Sequence, residues 1–232
     1  DFIHTVQSQV TATPQNEAFV FVHGYNVTFK DAARRTAQLA YDLELTGVPI
    51  FYSWPSQGRL RGYLVDETNV EWTAAHLKQT LQMLMRSCGI QVLHLIGHSM
   101  GNRALANAVR QMMAESVQGL PLAAGQMILT APDIDRDTFT QLSNELRRAA
   151  RRVTIYASSN DSALHISKRF HGYPRAGDTA PNVLLVDGLD TIDASAVNTS
   201  LVGHSYFATD RSVLADLFEL LRNGTAPDKR FG

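Results

Sequence analysis

Three residue types that together make an activated nucleophile occur in this chain in a fixed order. A serine at 99 lies inside Gly97-His98-Ser99-Met100-Gly101, aspartates follow at 133, 135 and 161, and a histidine stands at 204. A serine hydroxyl is a poor nucleophile at neutral pH unless an imidazole within hydrogen-bond reach takes its proton and a carboxylate orients that imidazole. Glycines two residues to either side let the serine sit in a sharp strand-to-helix turn, with its Oγ above the sheet and the amide end of the next helix aimed at it. The stretch "LHLIGHSMGNRAL" (93 to 105) supplies the apolar run before the turn and the helix-forming tail after it. A serine that merely caps a helix in a glycine-rich turn is the weaker reading, and Ser99 is the expected nucleophile.

In folds that carry such an elbow the partners follow in the order Ser, acid, His, with the histidine in a loop after the last strand. His204, in "LVGHSYF" ahead of the final helical segment, fits that place as general base. His4, His23, His76 and His94 lie upstream of the elbow and His98 lies inside it, while His165 and His171 sit on or just after a predicted helix that precedes the last strand. For the acid, Asp161 in "YASSNDSAL" follows the next-to-last strand and is preferred. Asp133 and Asp135 in "TAPDIDRD" follow the strand before it and stay as the alternative. Each has a competing role, since Asp161 and Asp135 both stand where a helix N-cap is needed. Asp190 and Asp193 are read as ordering their own loop.

Acyl transfer also needs donors for a tetrahedral oxyanion. The amide of Met100, just after the serine, is one. The second is expected from "FVFVHGYN", where Gly24 lets the backbone approach a substrate and the Tyr25 amide is chosen, with Asn26 as its neighbour and substitute. His23 reads as a buried prop. Tyr25, Trp54 and Pro55 end strands whose carboxyl termini rim the crevice of such sheets, so an aromatic, mostly apolar pocket is expected, with loop packing an equal reading for Trp54.

The elements that must position these residues alternate short β-branched runs with longer segments of helical period, which predicts an α/β fold with a mostly parallel sheet covered by helices on both faces. Strands are predicted at 18 to 22, 49 to 54, 92 to 97, 126 to 131, 152 to 158 and 182 to 187, several of them apolar throughout, as doubly covered strands are. Helices are predicted near 29 to 46, 70 to 87, 100 to 116, 136 to 151, 161 to 170 and 205 to 223. In the last, Val213, Leu214, Leu217, Leu220 and Leu221 share one face and Gly224 marks the stop. "DFIHTV" is read as one edge strand. Loops are predicted at 54 to 63, 171 to 181 and 187 to 203.

With 232 residues and 44% hydrophobic content the chain encloses one core, so 1–232 is read as a single domain. Its 21 basic against 22 acidic residues give no charge excess to recruit nucleic acid or an anionic membrane, and a small uncharged partner is expected. Cys88 is the single cysteine, which excludes an intramolecular disulfide and a thiolate metal cage. No apolar run has membrane-spanning length. The chain opens on Asp1 without a basic-then-apolar leader, as expected of a processed product or an excised piece. Oligomeric state and compartment are not indicated. His-Glu-x-x-His, Gly-x-x-x-x-Gly-Lys and Gly-x-Gly-x-x-Gly are all missing from the sequence, so the parts for metal hydrolysis, nucleotide hydrolysis and nicotinamide chemistry are too, and no cofactor is implied.

Taken in order, "FVHGYNVTF" (21 to 29), "FYSWPSQG" (51 to 58), "LIGHSMGNR" (95 to 103), "APDIDRDTF" (131 to 139), "YASSNDSAL" (156 to 164) and "GHSYF" (203 to 207) resemble the bacterial α/β hydrolases grouped as domain-of-unknown-function family number nine hundred. The resemblance implies the α/β-hydrolase fold, here with shortened N-terminal strands, and a triad of Ser99, Asp161 and His204. The expected activity is that of a carboxylesterase acting on short- to medium-chain esters at an open site, since the spacing leaves little room for a large lid. A thioesterase, amidase or lipase of the same fold is the nearest alternative. A non-catalytic binding module is a further one, although such modules usually lack the serine or the histidine.

Overall fold

In the computed structural model, which describes residues 1–59, 62–115, 124–197 and 210–230, the apolar runs lie side by side in one sheet. Its strands are β1 (Glu17–Val22), β2 (Val48–Tyr52), β3 (Val92–His98), β4 (Ala124–Thr130), β5 (Ala150–Ala157) and β6 (Asp190–Asp193). All neighbouring pairs are parallel, in the order β2-β1-β3-β4-β5-β6. Parallel neighbours need crossovers, and helices supply them: α2 (Phe29–Asp42), α3 (Tyr63–Ser87), α4 (Gly101–Glu115), α5 (Arg136–Ala149) and α6 (Ser162–His171). Ahead of the sheet stands α1 (Phe2–Thr11), and α7 (Arg211–Asn223) follows it.

The two-residue period of a strand sends alternate side chains to opposite faces, and β1 shows what each face meets. Ala18, Val20 and Val22 join the core built with Val6 and Val10 of α1, Leu77 and Leu81 of α3, Leu105 and Val109 of α4 and Phe139 of α5. Phe19 and Phe21 point the other way, onto Leu39 of α2 and Val213, Leu217 and Leu220 of α7. The final helix therefore packs against the sheet through the face its spacing indicated. Side-chain caps fix the helix starts. Thr28, Asp135, Asp161 and Asp210 accept first-turn amides of α2, α5, α6 and α7, while Gly172 and Gly224 end α6 and α7 in the left-handed conformation.

Several expected elements are displaced. The run at 182 to 187 is not a strand. Leu184 and Val186 pack against the edge of the core from irregular chain, and the sixth strand is the polar "DTID" at 190–193 within a predicted loop. A short edge strand needs only one paired side, and Arg152 on β5 ties this one down through Asp190 at 2.6 Å. "DFIHTV" opens α1 rather than an edge strand, because Val6 and Val10, four residues apart, are both buried on one side of a helix capped by Asp1. The third helix begins at Tyr63, seven residues before the predicted start, and α2 stops at Asp42. Residues 116 and 205 to 209, predicted as helical, lie outside the described residues.

Leu217 is 1% exposed in the layer between α7 and the sheet. Leu217→Ala should lower stability by about 2–5 kcal/mol in urea or guanidinium unfolding, the usual loss for a truncated core leucine. A change within experimental error would mean that α7 is not seated on the sheet as described.

Candidate active site

Strand β1 has β2 on one side and β3 on the other, and the crossovers that leave β1 and β3 run over opposite faces. The carboxyl ends of these two strands are therefore the topological switch point, the place where such sheets bind ligands. Val22 is paired with Gly97, so the loop after β1 meets the turn after β3. Ser99 stands at the apex of that turn with φ 51°, a left-handed conformation that a non-glycine residue holds only when its surroundings enforce it. The enforcing bonds are visible. The Ser99 amide donates to the Thr130 carbonyl at 2.9 Å, and the Ser99 carbonyl accepts from the amides of Asn102 at 3.1 Å and Asp133 at 3.3 Å. Asn102, fully buried, adds bonds from Nδ2 to the carbonyls of Ser99 at 3.2 Å and Thr130 at 3.0 Å.

Packing leaves no room for side chains around this turn. A Cβ on Gly97 would lie 2.2 Å from Asn102 Oδ1, one on Gly101 2.2 Å from the His23 carbonyl oxygen, and one on Gly24 2.8 Å from Ser99 Cβ. The loop after β1 is braced from below. His23 is buried, and its Nδ1 donates to the Gly24 carbonyl at 2.8 Å, which places the proton on that nitrogen. Burial depresses its pKa and so favours the neutral ring. Trp54 stacks on it with centroids 5.1 Å apart and donates its indole N–H to the His23 carbonyl at 2.7 Å. Trp54 is 2% exposed, so of its two expected roles the structure displays the packing one. Tyr25 stands on the loop itself, half buried, and Met100 sits at the amino end of α4, where the first amides have no partner inside the helix.

The three candidate carboxylates have different surroundings. Asp161 ends the turn after β5, fully buried, and caps α6 through Oδ1, which accepts the amides of Ala163 at 3.1 Å and Leu164 at 3.0 Å. Asp135 caps α5 in the same way, accepting from Asp137 at 3.1 Å and Thr138 at 3.0 Å. Asp133 has both oxygens engaged: Tyr63 donates to Oδ2 at 2.7 Å and Ser167 to Oδ1 at 2.5 Å, with Arg103 at 3.4 Å and Arg175 at 3.3 Å. His204 lies outside the described residues, so the geometry covers the serine and the acids but not the expected base.

The family model described as "Alpha/beta hydrolase of unknown function (DUF900)" matches residues 2–223. The chain belongs to this α/β hydrolase family. No curated protein matches it. The six-stranded, all-parallel sheet flanked by helices is the architecture of that fold. Among the described residues of the hydrolase, no group of three or more His, Cys, Asp or Glu side chains is placed to hold a metal ion, and no helix is long and apolar enough to cross a membrane.

Beside the elbow the hydrolase holds a charge network that the sequence did not disclose. Arg103, next to Asn102 on α4, donates to the Asp133 carbonyl at 2.6 Å, to Glu67 at 2.5 Å and to the Tyr63 hydroxyl at 3.2 Å. His171 bonds Glu67 at 2.6 Å and donates from Nδ1 to the Ser167 carbonyl at 2.8 Å. Burial would raise the pKa of Asp133, but Arg103 and Arg175, with the two hydroxyl donors, outweigh it and hold the carboxyl below its ordinary value.

A depressed carboxylate stabilises the fold fully above the ordinary carboxylate range and loses that contribution as pH falls through the lowered value. Asp133→Asn should therefore cost about 3–5 kcal/mol near neutral pH, by leaving the buried Arg175 guanidinium without its carboxylate and Arg103 with Glu67 alone, and should flatten the acid limb of the stability profile. Urea unfolding at a series of pH values measures both effects. An unchanged acid limb would remove Asp133 from the account.

Proposed function

We propose that this α/β hydrolase is a carboxylesterase that cleaves short- to medium-chain esters through an acyl-enzyme. The observation that carries the reading is Ser99 in a left-handed turn at the switch point of the sheet, brought against the loop after β1 by Gly24 and Gly101, neither of which has room for a side chain. A site that stores backbone strain on a nucleophilic residue over a ligand crevice is arranged for attack rather than for capping.

In this reading His204 takes the proton of Ser99 Oγ as the oxygen bonds to the ester carbonyl carbon, and Asp161 orients the imidazole and stabilises its charged form. The amides of Tyr25 and Met100 receive the oxyanion. Collapse of the tetrahedral intermediate passes the proton from His204 to the departing alcohol, and water, deprotonated by the same histidine, releases the acid and restores Ser99. Asp161 is supported over Asp133 by its place and by what Asp133 already does. Two guanidinium groups and two hydroxyls share Asp133, while Asp161 ends the turn after β5, the next-to-last strand. Oxygen esters are preferred to amides because their leaving group needs the least help.

Ser99→Ala and His204→Ala should each fold normally and reduce kcat for a p-nitrophenyl acyl ester by a factor on the order of ten thousand, and a fluorophosphonate probe should label the wild type on the peptide that contains Ser99. Asp161→Asn should approach the same loss, whereas Asp135→Asn should act chiefly through melting temperature. Activity retained by Ser99→Ala would overturn the mechanism. A folded Asp161→Asn enzyme with more than about a tenth of its kcat would move the acid one strand earlier. Higher kcat/KM on matched amides than on esters would overturn the substrate class.

A further inference from the structure

Three rings stand in a row beginning at the loop after β1. Tyr25 meets Tyr63 edge to face, with centroids 5.3 Å apart, and Tyr63 is stacked beside Phe170 of α6 at 6.1 Å. The middle ring is fixed, because its hydroxyl is held by Asp133 at 2.7 Å and Ser167 at 2.9 Å. Beyond it the row opens to solvent, with Phe170 67% exposed and Ile166, one helical turn earlier on the same side of α6, 53% exposed. Scattered apolar residues on a surface are ordinary. Here, however, α6 turns Leu164 and the polar Ser167 inward and leaves Ile166 and Phe170 outside, two large apolar side chains on the face that an amphipathic surface helix keeps polar. The exposed pair also continues a row of rings that starts at the residue whose amide is assigned to the oxyanion.

We propose that Tyr25, Tyr63 and Phe170 form the subsite for the apolar chain of the substrate, which makes medium-chain esters the preferred class. The proposal rests on the esterase reading above and narrows it. Two ring-to-ring steps match the reach of a chain on the order of eight carbons. A methylene fully buried against such surface contributes about fourfold in binding, and a rigid, pre-positioned ring loses little entropy when a chain settles on it. The chain belongs either to the acyl group or to the alcohol, so the test has two arms.

The measurement is kcat/KM for wild type and Phe170→Ala on p-nitrophenyl esters from acetate to decanoate, and on alkyl acetates of matching lengths. In one of the two arms the wild type should gain steadily to about eight carbons, and Phe170→Ala should lower the ratio of the eight-carbon to the two-carbon substrate about fivefold or more, through KM, with Phe170→Leu in between. Because Phe170 is mostly exposed, the melting temperature of these variants should stay that of wild type. Tyr41→Ala serves as control. That residue is 84% exposed in the last turn of α2, at the opposite edge of the sheet, and its removal should leave the ratio unchanged. If Ser99-dependent hydrolysis is present and the ratio is the same in wild type and Phe170→Ala in both arms, the subsite is wrong while the esterase reading stands. If no ester is hydrolysed by a Ser99-dependent route, the esterase reading fails and the subsite falls with it.

Discussion

A Cβ at Gly101 would stand 2.2 Å from the His23 carbonyl oxygen and 2.7 Å from that of Val22, which means that the first turn of α4 rests directly on the backbone at the end of β1. Gly24 allows the same close approach from the loop side, 2.8 Å from Ser99 Cβ, while Gly97 lets Asn102 of α4 settle against β3. The arrangement of the switch point follows from this close approach. If the elbow stood one side chain further away, the loop after β1 would lose its contact with Ser99. The approach also explains why Ser99 keeps its left-handed backbone. The bonds to Thr130, Asn102 and Asp133 hold it, and interior packing of this density does not yield a continuous range of alternatives.

The second constraint is electrostatic. An isolated buried carboxylate is costly, and the hydrolase buries Asp133 and Asp161 on adjacent strand ends close to one another in the chain's topology. It treats them differently. Asp133 is neutralised by arginines from α4 and from the segment after α6, which binds those elements together and leaves the carboxylate fully occupied. Asp161 is met by the amides at the start of α6, where the positive end of the helix favours an anion. A carboxylate between two guanidinium groups is a poor partner for an imidazole that must become positively charged, since the same neighbours that stabilise the anion repel the cation.

What the sequence disclosed divides along the range of the interactions involved. The elbow, the strand before it and the helix after it were legible because Gly97, Ser99, Gly101 and the apolar runs around them act within a dozen residues. The His-Gly loop and the capping aspartates were legible for the same reason. The charge network was not, because Arg103 finds Glu67, Tyr63 and Asp133 on three separate elements and nothing local marks any of them as its partner. The sixth strand was missed where composition and topology disagree. "NVLLVD" has the β-branched content of a strand, yet the polar "DTID" takes the edge because Arg152 and the register from Thr154 to Ala157 receive it there. The first helix was missed because its pattern is two valines four apart, too sparse to outweigh the β-branched character of "FIHTV".

Tyr63 belongs to both constraints. Its hydroxyl ends in the charge cluster, where burial and the neighbouring Asp133 raise its pKa and keep it a neutral donor, while its ring lies between Tyr25 and Phe170. The polar end is therefore what fixes the apolar face. Phenylalanine in its place would keep a ring of the same width but would take from Asp133 Oδ2 the hydroxyl donor and from Arg103 an acceptor, and a hydrogen bond lost to a buried charged group weighs more than one lost at the surface. Stability at this corner and the aromatic surface beside the elbow are thus set by one side chain. That coupling gives a physical reason for a tyrosine at 63 where packing alone would accept any aromatic residue.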